Sequence, residues 1–520
     1  MHFGDGQTVG IDLGTTFSTV AQLDSDGTPV AIPNDEDELE TSSMILLADR
    51  GHVIVGPKPS RAAFEDPDHV VARIKRHMGD DYPQTFDGRT ITPEFLSALI
   101  LKKLRQDAEK KAGPIRNAVI TVPYYFNDLR RKATQDAGRI AGLNVVDIIN
   151  EPTAATLCYA WHTGILGSSE KLAKPKLAVV YDLGGGTFDV TLVQFTASHF
   201  EVLGTDGDVQ LGGVDWDDRL LDYVAEEYMA KFGEDPRKSP QTVHGLRYQC
   251  TEAKEKLSKT HSVKIACRHA GKVAEVTITR EKFEILTQDL LQRTIDTLML
   301  VLDEANRTAA DIDAIVLTGS STLMPAVSRA IEEATGKKPY DGMDPATSVA
   351  KGAAIHAAIL EAKFRPGGTM SEALRKMLAG VQQENVNSHA LGIVISQRGE
   401  KINHVMIPKN TRIPVEKRQT FRTNVANQER VRVQVVEGDA PDPDACSLLG
   451  NCRITDLPAD LPQGSPVEVC YAFSEDGRIH ISAKEVTSGK VASIRIERQG
   501  TLSEGEVDAL AKLATDYTVQ

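Results

Sequence analysis

A chain of 520 residues is too long for one hydrophobic core, and with 41% apolar residues it has material for two to four domains. A formal charge of −14 gives no basic field for a nucleic acid or an anionic membrane, so neither is an expected partner. The amino terminus lacks a basic segment followed by an apolar one, and no apolar run approaches about 18 residues, so a soluble, cytoplasmic protein is expected. Six cysteines are too few for a disulfide scaffold: Cys158, Cys250, Cys267 and Cys470 read as buried thiols, and Cys446 and Cys452 lack the second pair that a zinc site needs.

Residues 9–58 alternate apolar and polar positions and read as strands and turns. Val9–Thr16, V-G-I-D-L-G-T-T, runs an apolar strand into Asp12 and then Gly14. Asp68–Met78 looks helical and carries Lys75 and Arg76, a pattern that ordinarily marks a solvated face. Pro93–Lys111 is an amphipathic helix by its apolar spacing. The strand Asn117–Pro123 follows, then a helix capped by Asn127 or Asp128 and running to about Ala141. Val145–Ile149 is another apolar run, which delivers Glu151 to a strand end, where α/β proteins keep their chemistry.

The stretch Val179–Asp189, V-V-Y-D-L-G-G-G-T-F-D, repeats the first pattern more strongly. Glycines allow backbone N–H groups to approach phosphate oxygens, and an aspartate at the strand end can hold a hard cation through water. One such turn is equally an ordinary strand ending; two indicate a duplicated fold whose turns face each other across one nucleotide. Ile315–Thr322, I-V-L-T-G-S-S-T, is a third, weaker turn. Between them lie helices expected at 216–232, 241–258 and 280–306 and a hairpin at 263–279; Pro345–Ala362 is an alanine-rich helix. Composition then changes: 370–379 reads as a short helix, Gly380–Asn387 as a linker, and from Leu391 the period is two, as in an antiparallel β domain. Ser503-Glu504-Gly505-Glu506 is a capping box, with Leu502 and Val507 placed as a hydrophobic staple, and starts a last helix.

These motifs, in this order, resemble the seventy-kilodalton heat-shock chaperones, the DnaK-type family within the actin and sugar-kinase superfamily. The resemblance rests on I-D-L-G-T-T-F-S-T-V (11–20), V-I-T-V-P-Y-Y-F-N-D (119–128), I-I-N-E-P-T-A-A (148–155), Y-D-L-G-G-G-T-F-D-V (181–190) and I-P-K-N-T-R-I-P (407–414). It implies a two-lobed, actin-like α/β ATPase domain with a duplicated ribonuclease-H-like fold at 1–365, a linker at 366–387, an all-β sandwich for peptide at 388–500 and the start of a helical segment at 501–520. It implies ATP/ADP, Mg2+ and K+ as cofactors, and extended hydrophobic peptide, a J-domain co-chaperone and a nucleotide exchange factor as partners. Lys75, Glu151, Asp182 and Thr187 carry the implied catalysis. Asp12, Asp182 and Asp189 take the ion shell. Gly14, Thr15, Thr16, Gly184, Gly185, Gly186 and Thr187 cradle phosphates, and Lys254, Ser258, Gly319, Ser320 and Asp344 complete the nucleotide site. Ser396, Phe421, Asn424, Val431 and Val433 match peptide-cleft positions, and Pro123, Arg131 and Val381 match the relay between domains.

Departures from the family pattern also carry expectations. Thr251, Glu255 and Leu323 replace side chains that hold adenine, so weak base discrimination is expected. With only 501–520 in place of the family's helical lid, a lid-less or C-terminally truncated member is expected. Of the linker Gly380–Asn387 only Val381 and Val386 are apolar, so weak docking on the ATPase domain is expected, unless the upstream helix 370–379, with Leu374, Met377 and Leu378 on one face, packs on the same surface. A sugar kinase or an actin-like filament shares the phosphate turns but has no use for the β domain. A nearly inactive, nucleotide-sensitive binding module or co-chaperone-like scaffold is the alternative reading.

Overall fold

The computed structural model describes residues 3–48, 51–57, 69–86, 88–167, 174–365, 370–387, 389–397, 399–423, 425–428, 430–454, 457, 461–473, 479–487, 489, 491–495 and 502–520. Two mixed sheets organise its first part. In one, the strands are ordered Asn144–Asn150, Ile115–Val122, Gln7–Asp12, Phe17–Leu23 and Pro29–Ile32, with Thr41–Ser42 paired to Phe17–Leu23. In the other, Ala314–Thr318, Lys176–Leu183, Phe188–Phe195 and His199–Asp208 follow in order. Both are built alike: Gln7–Asp12 and Lys176–Leu183 each pair antiparallel with the next strand in sequence and parallel with a distant one. The apolar runs into Asp12 and Asp182 are central strands covered on both faces, which is why they read as continuous rather than alternating.

Helices Glu151–His162 and Ser348–Phe364 fill the space between the sheets, burying Ala154, Ala155, Ala353, Ala354 and Ala357. Small side chains are required there: a Cβ on Gly352 would lie 1.8 Å from the Ala154 carbonyl oxygen, so the two helix backbones touch. The helix expected over 280–306 is two helices, Arg280–Leu286 and Gln288–Glu304, broken at Thr287, whose hydroxyl donates to the Phe283 carbonyl at 3.0 Å.

The helix expected from Asp68 to Met78 does not form over its described part. The β-branched pair Val70–Val71 is an edge strand on Ile45–Leu46, Arg73 adopts a left-handed backbone (φ 61°), and only Ile74–His77 make a 3-10 turn. Cys470, expected to be buried, is partly exposed.

The β domain is two four-stranded antiparallel sheets. One holds Glu400–Ile407, Leu391–Gln397, Val431–Glu437 and Ser447–Ile454; the other holds Val415–Arg422, Pro466–Phe473, Ile479–Glu485 and Val491–Arg495. Ile393, Val433, Val435, Val467, Val469, Tyr471, Ile479 and Ile481 form the core between them, and the Tyr471 hydroxyl crosses it to donate to the Gly392 carbonyl at 2.7 Å.

The linker is docked, contrary to the expectation from its sparse apolar content. Gln382–Val386 pairs parallel with His199–Glu201 and antiparallel with Arg412–Ile413, so the second sheet continues through the linker into the β domain. The two linker valines do not carry the docking alone. Much of the docking comes from backbone pairing and from the helix Glu372–Ala379, which adds buried Leu378 and half-buried Leu374 and Met377 to the cluster holding Val381 and Val386. Lys363 Nζ donates to the Val381 carbonyl at 2.6 Å.

The last helix, Glu504–Thr515, begins with the expected box: Ser503 Oγ accepts from Glu506 N–H at 3.3 Å, and Glu506 Oε2 accepts from Ser503 N–H at 2.7 Å. It packs on the first lobe, where Val507, Ala514, Tyr517 and Val519 join the hydrophobic core. Among the described residues no helix is long and apolar enough to cross a membrane.

Candidate nucleotide site

Strand ends from both sheets, the 3-10 turn and one helix start converge on one buried cluster of charged side chains. Lys75, 6% exposed, donates from Nζ to Glu151 Oε1 at 2.6 Å. Burial opposes the lysine's charge, but Glu151, Asp12 and Asp182 more than offset it, so the ammonium is held. Glu151 opens the helix Glu151–His162. Burial, opposed by Lys75 and reinforced by Asp182 and Asp12, pushes its carboxyl up to about 8. Burial first and Asp12 second push Asp182 up to about 6. Asp189, the register partner of Asp182 in the hairpin, is raised well above the usual carboxylate range by burial and then by Asp182. Asp12, raised mainly by burial, accepts from Thr121 Oγ1 at 2.9 Å.

The two aspartate-glycine turns touch. A Cβ on Gly185 would lie 2.0 Å from Thr16 Oγ1, and one on Gly186 would lie 2.6 Å from Thr15 Cγ2, so only glycine lets the lobes close here. Gly184 N–H donates to the Thr187 carbonyl at 3.0 Å, and the Gly184 carbonyl accepts from Gly213 N–H at 2.9 Å and from Ser321 Oγ at 3.0 Å, tying the second turn to its neighbours. Gly319 has φ 79° and sits against the Leu183 carbonyl, bringing the third turn to the second.

Arg76 was missed by sequence reasoning. It donates from Nε and Nη2 to the Gly186 carbonyl in the second turn, at 3.0 and 2.5 Å, and it pairs with Asp215 at 3.3 Å. The only available signal was its position beside Lys75. Glu40 is a second omission: its Oε1 accepts from Ser320 Oγ at 2.9 Å, another contact between lobes. Burial, with Asp344, Asp12 and Glu255 nearby, pushes Glu40 up to about 7. The folded state therefore binds the proton more tightly than the unfolded chain, and the stability this contributes is lost as pH rises from the ordinary carboxylate value to about 7. Glu40→Gln is expected to be more stable than the native chain at pH 8 by about 1 kcal/mol, or about 2 °C in the unfolding midpoint, with the gap closing at pH 5. Thermal scans at the two pH values check this.

Lys254 Nζ donates to the Gly213 carbonyl and pairs with Asp217, both at 2.8 Å, while Thr251 Oγ1 donates to Asp217 at 2.9 Å. Ser258 Oγ donates to the Lys254 carbonyl of its own helix at 3.3 Å, and Leu323 is 54% exposed. Asp344 caps the turn before Ser348, accepting from Ala346 N–H and Thr347 Oγ1 at 3.1 and 3.0 Å.

In the β domain Val433 is buried in the sandwich core, Phe421 and Val431 are half-buried at its margin, and Ser396 is exposed; Asn424 lies outside the described residues. The Phe421 ring meets His404 edge-on, with centroids 5.5 Å apart. Arg131 donates to Asn150 Oδ1 at 2.5 Å and to the Ile148 carbonyl at 2.7 Å, bracing the strand that precedes Glu151. Tyr124, next to Pro123 and not singled out from sequence, reaches the linker itself: its hydroxyl donates to the Val386 carbonyl at 2.5 Å and accepts from Val386 N–H at 3.1 Å.

A set of three potential metal ligands, His199, Glu201 and Glu384, lies on this docking seam. Arg412 pairs with Glu201 and, at 3.4 Å, with Glu384, so the carboxylates there serve an ion pair between domains.

Two comparisons agree with this geometry. The family model described as Hsp70 protein matches residues 8–86 and 82–520. The chaperone proteins DnaK of Thermotoga petrophila, Thermotoga maritima and Thermotoga neapolitana are each 39% identical to this chain over 521 aligned positions, covering 98% of it and 84% of the relative. A match along nearly the whole chain, with both aspartate-glycine turns, the two mixed sheets and the β sandwich in place, establishes that the chain belongs to the Hsp70 family.

Proposed function

We propose that this chain is an ATP-hydrolysing chaperone that binds and releases extended hydrophobic segments of unfolded polypeptide. In this reading residues 1–365 are a duplicated ribonuclease-H-like ATPase domain, 366–387 a linker with its own helix, 388–500 the peptide-binding sandwich and 501–520 a helical extension. The observation that carries it is the buried lysine among carboxylates, Lys75 with Glu151, Asp12 and Asp182, between two glycine turns that meet across a cleft.

The residues fit a hard cation. Lys75 is one ammonium against Asp12, Glu151, Asp182 and Asp189, and the buried atoms Asp189 Oδ1 and Thr16 Oγ1 have no protein hydrogen-bond partner. Asp12, Asp182 and Asp189 are the residues to hold hydrated Mg2+, with K+ in the same shell, and the metal supplies charge neutralisation on the phosphates. The N–H groups of Gly14 and Gly184 are used within the turns, on Ser18 Oγ and the Thr187 carbonyl, and those of Thr15, Thr16, Gly185 and Gly186 are the ones proposed to meet phosphate oxygens. Lys75 holds the terminal phosphate, Glu151 fixes the lysine and orients the attacking water, and Thr187, in the second glycine turn, adds its hydroxyl to the phosphate cradle. In-line transfer to water needs such positioning more than a strong base.

On the sandwich, Phe421 and Val431 supply apolar contact to peptide, with Val433 buried in the core and Ser396 and Asn424 at the arch. A J-domain co-chaperone and an exchange factor complete the proposed cycle. The test is single-turnover ATP hydrolysis with and without an unfolded peptide. Peptide is expected to raise the rate at least about threefold, or about 0.7 kcal/mol of barrier. A chain that binds ATP but turns over at the same negligible rate in both arms would be a binding module instead.

A further inference from the structure

The segment 502–520 follows the β domain in sequence but is built into the ATPase part. Its helix lies on Pro93–Ala112 and Asp128–Ile140 and buries Val507 and Ala514. Arg139 pairs with Glu504 at 2.7 Å at the start of the helix. Lys102 Nζ donates to the carbonyls of Ala514 and Tyr517 at 2.7 and 2.8 Å, satisfying acceptors that the helix end leaves open. Tyr517 stands edge-on to Phe95, with ring centroids 5.3 Å apart.

The chain then adds a strand. Thr518–Val519 runs parallel to His52–Val55; Gln520 N–H donates to the Val53 carbonyl and Val55 N–H to the Gln520 carbonyl, both at 2.9 Å. The resulting sheet has the order Thr518–Val519, His52–Val55, Ile45–Leu47, Val70–Val71. Its far strand leads through the left-handed Arg73 directly into the 3-10 turn that carries Lys75 and Arg76. This sheet is small and its strands are two to four residues long, so an added edge strand is a large fraction of its backbone pairing.

We propose that residues 502–520 are a clasp that positions Lys75: the tail strand completes the sheet from which the lysine-bearing turn hangs, and it makes a second attachment between the β domain and the ATPase part beside the linker. The role assigned to Lys75 rests on the function proposed above. Tyr517, Val519 and the backbone of Gln520 are positioning groups and touch no nucleotide. An error of about 1 Å at a group holding the transferred phosphate costs up to about a hundredfold in rate, so a loosened sheet is felt in chemistry before binding.

The test uses the full chain and two variants. Gln520→Pro removes one strand hydrogen-bond donor at an exposed side chain, and Tyr517→Ala empties the contact with Phe95. In both, the segment 51–57 is expected to exchange its amide hydrogens at least about tenfold faster, while 115–122 is unchanged. Single-turnover ATP hydrolysis is expected to fall about tenfold with ATP affinity within about twofold. Unchanged exchange at 51–57 overturns the clasp. Faster exchange with a rate equal to or above the native one, or with an equal loss of ATP affinity, overturns the positioning of Lys75. A native chain that protects 51–57 yet hydrolyses no ATP removes the enzymatic reading, and the positioning role with it, while the exchange data still report the attachment.

Discussion

Lys75→Ala is expected to lower single-turnover ATP hydrolysis by at least about a hundredfold, about 2.7 kcal/mol of barrier, while ATP affinity falls much less. The reason lies in the charge balance at the cleft base. The ammonium is 6% exposed, bonded to Glu151 at 2.6 Å, and held by the fields of Asp12 and Asp182. Without it, Glu151 loses the cation that opposes the effect of burial, and its carboxyl moves further above about 8. A protonated Glu151 accepts less well from a water and orients it poorly. The two aspartate-glycine turns are left intact, because Thr16, Gly184 and Gly185 are held by backbone hydrogen bonds that do not involve Lys75. Lys75→Met keeps the volume of the side chain and separates loss of charge from loss of packing. Equal losses of affinity and rate would make Lys75 a binding residue only.

Val381→Asp is expected to release the linker and abolish stimulation of hydrolysis by peptide. Val381 is fully buried in a cluster with Leu378, Val386 and Phe200, and a carboxylate there costs several kcal/mol unless the strand leaves. The strand Gln382–Val386 joins His199–Glu201 to Arg412–Ile413, so its departure breaks both pairings and leaves Arg412 with Glu201 as a solvent-screened pair of little strength. Small-angle scattering should show a larger radius of gyration, and the peptide-stimulated rate should fall to the basal one. Tyr124→Phe is the milder companion: it removes two hydrogen bonds to Val386 and should weaken docking by about 1–2 kcal/mol without adding charge. If Val381→Asp leaves scattering and stimulation unchanged, the docked linker does not couple the domains.

The sequence by itself determined what is local. Central strands buried on both faces must be apolar throughout, so the runs into Asp12 and Asp182 were legible, as were the glycines that follow, because a Cβ on Gly185 would collide with Thr16. Helix starts were legible for the same reason: Asn127 Oδ1 accepts from Arg130 N–H at 3.0 Å, and Ser503 with Glu506 closes a box within one turn. The alternation from Leu391 onward follows from one face of each strand meeting the sandwich core. Tertiary structure decided the rest, since the partners lie far apart in sequence. The segment leading to Lys75 is not an α-helix because Val70–Val71 pair with Ile45–Leu46, and Arg76 belongs to the site only because Gly186 arrives from the other lobe. The linker docks through backbone groups and a neighbouring helix, neither of which shows in a count of its valines. The tail helix was readable from its cap, but its seat was not: any amphipathic helix states that one face is buried, and only the assembled lobe, with Phe95, Lys102 and the edge of His52–Val55, supplies the surface that buries it.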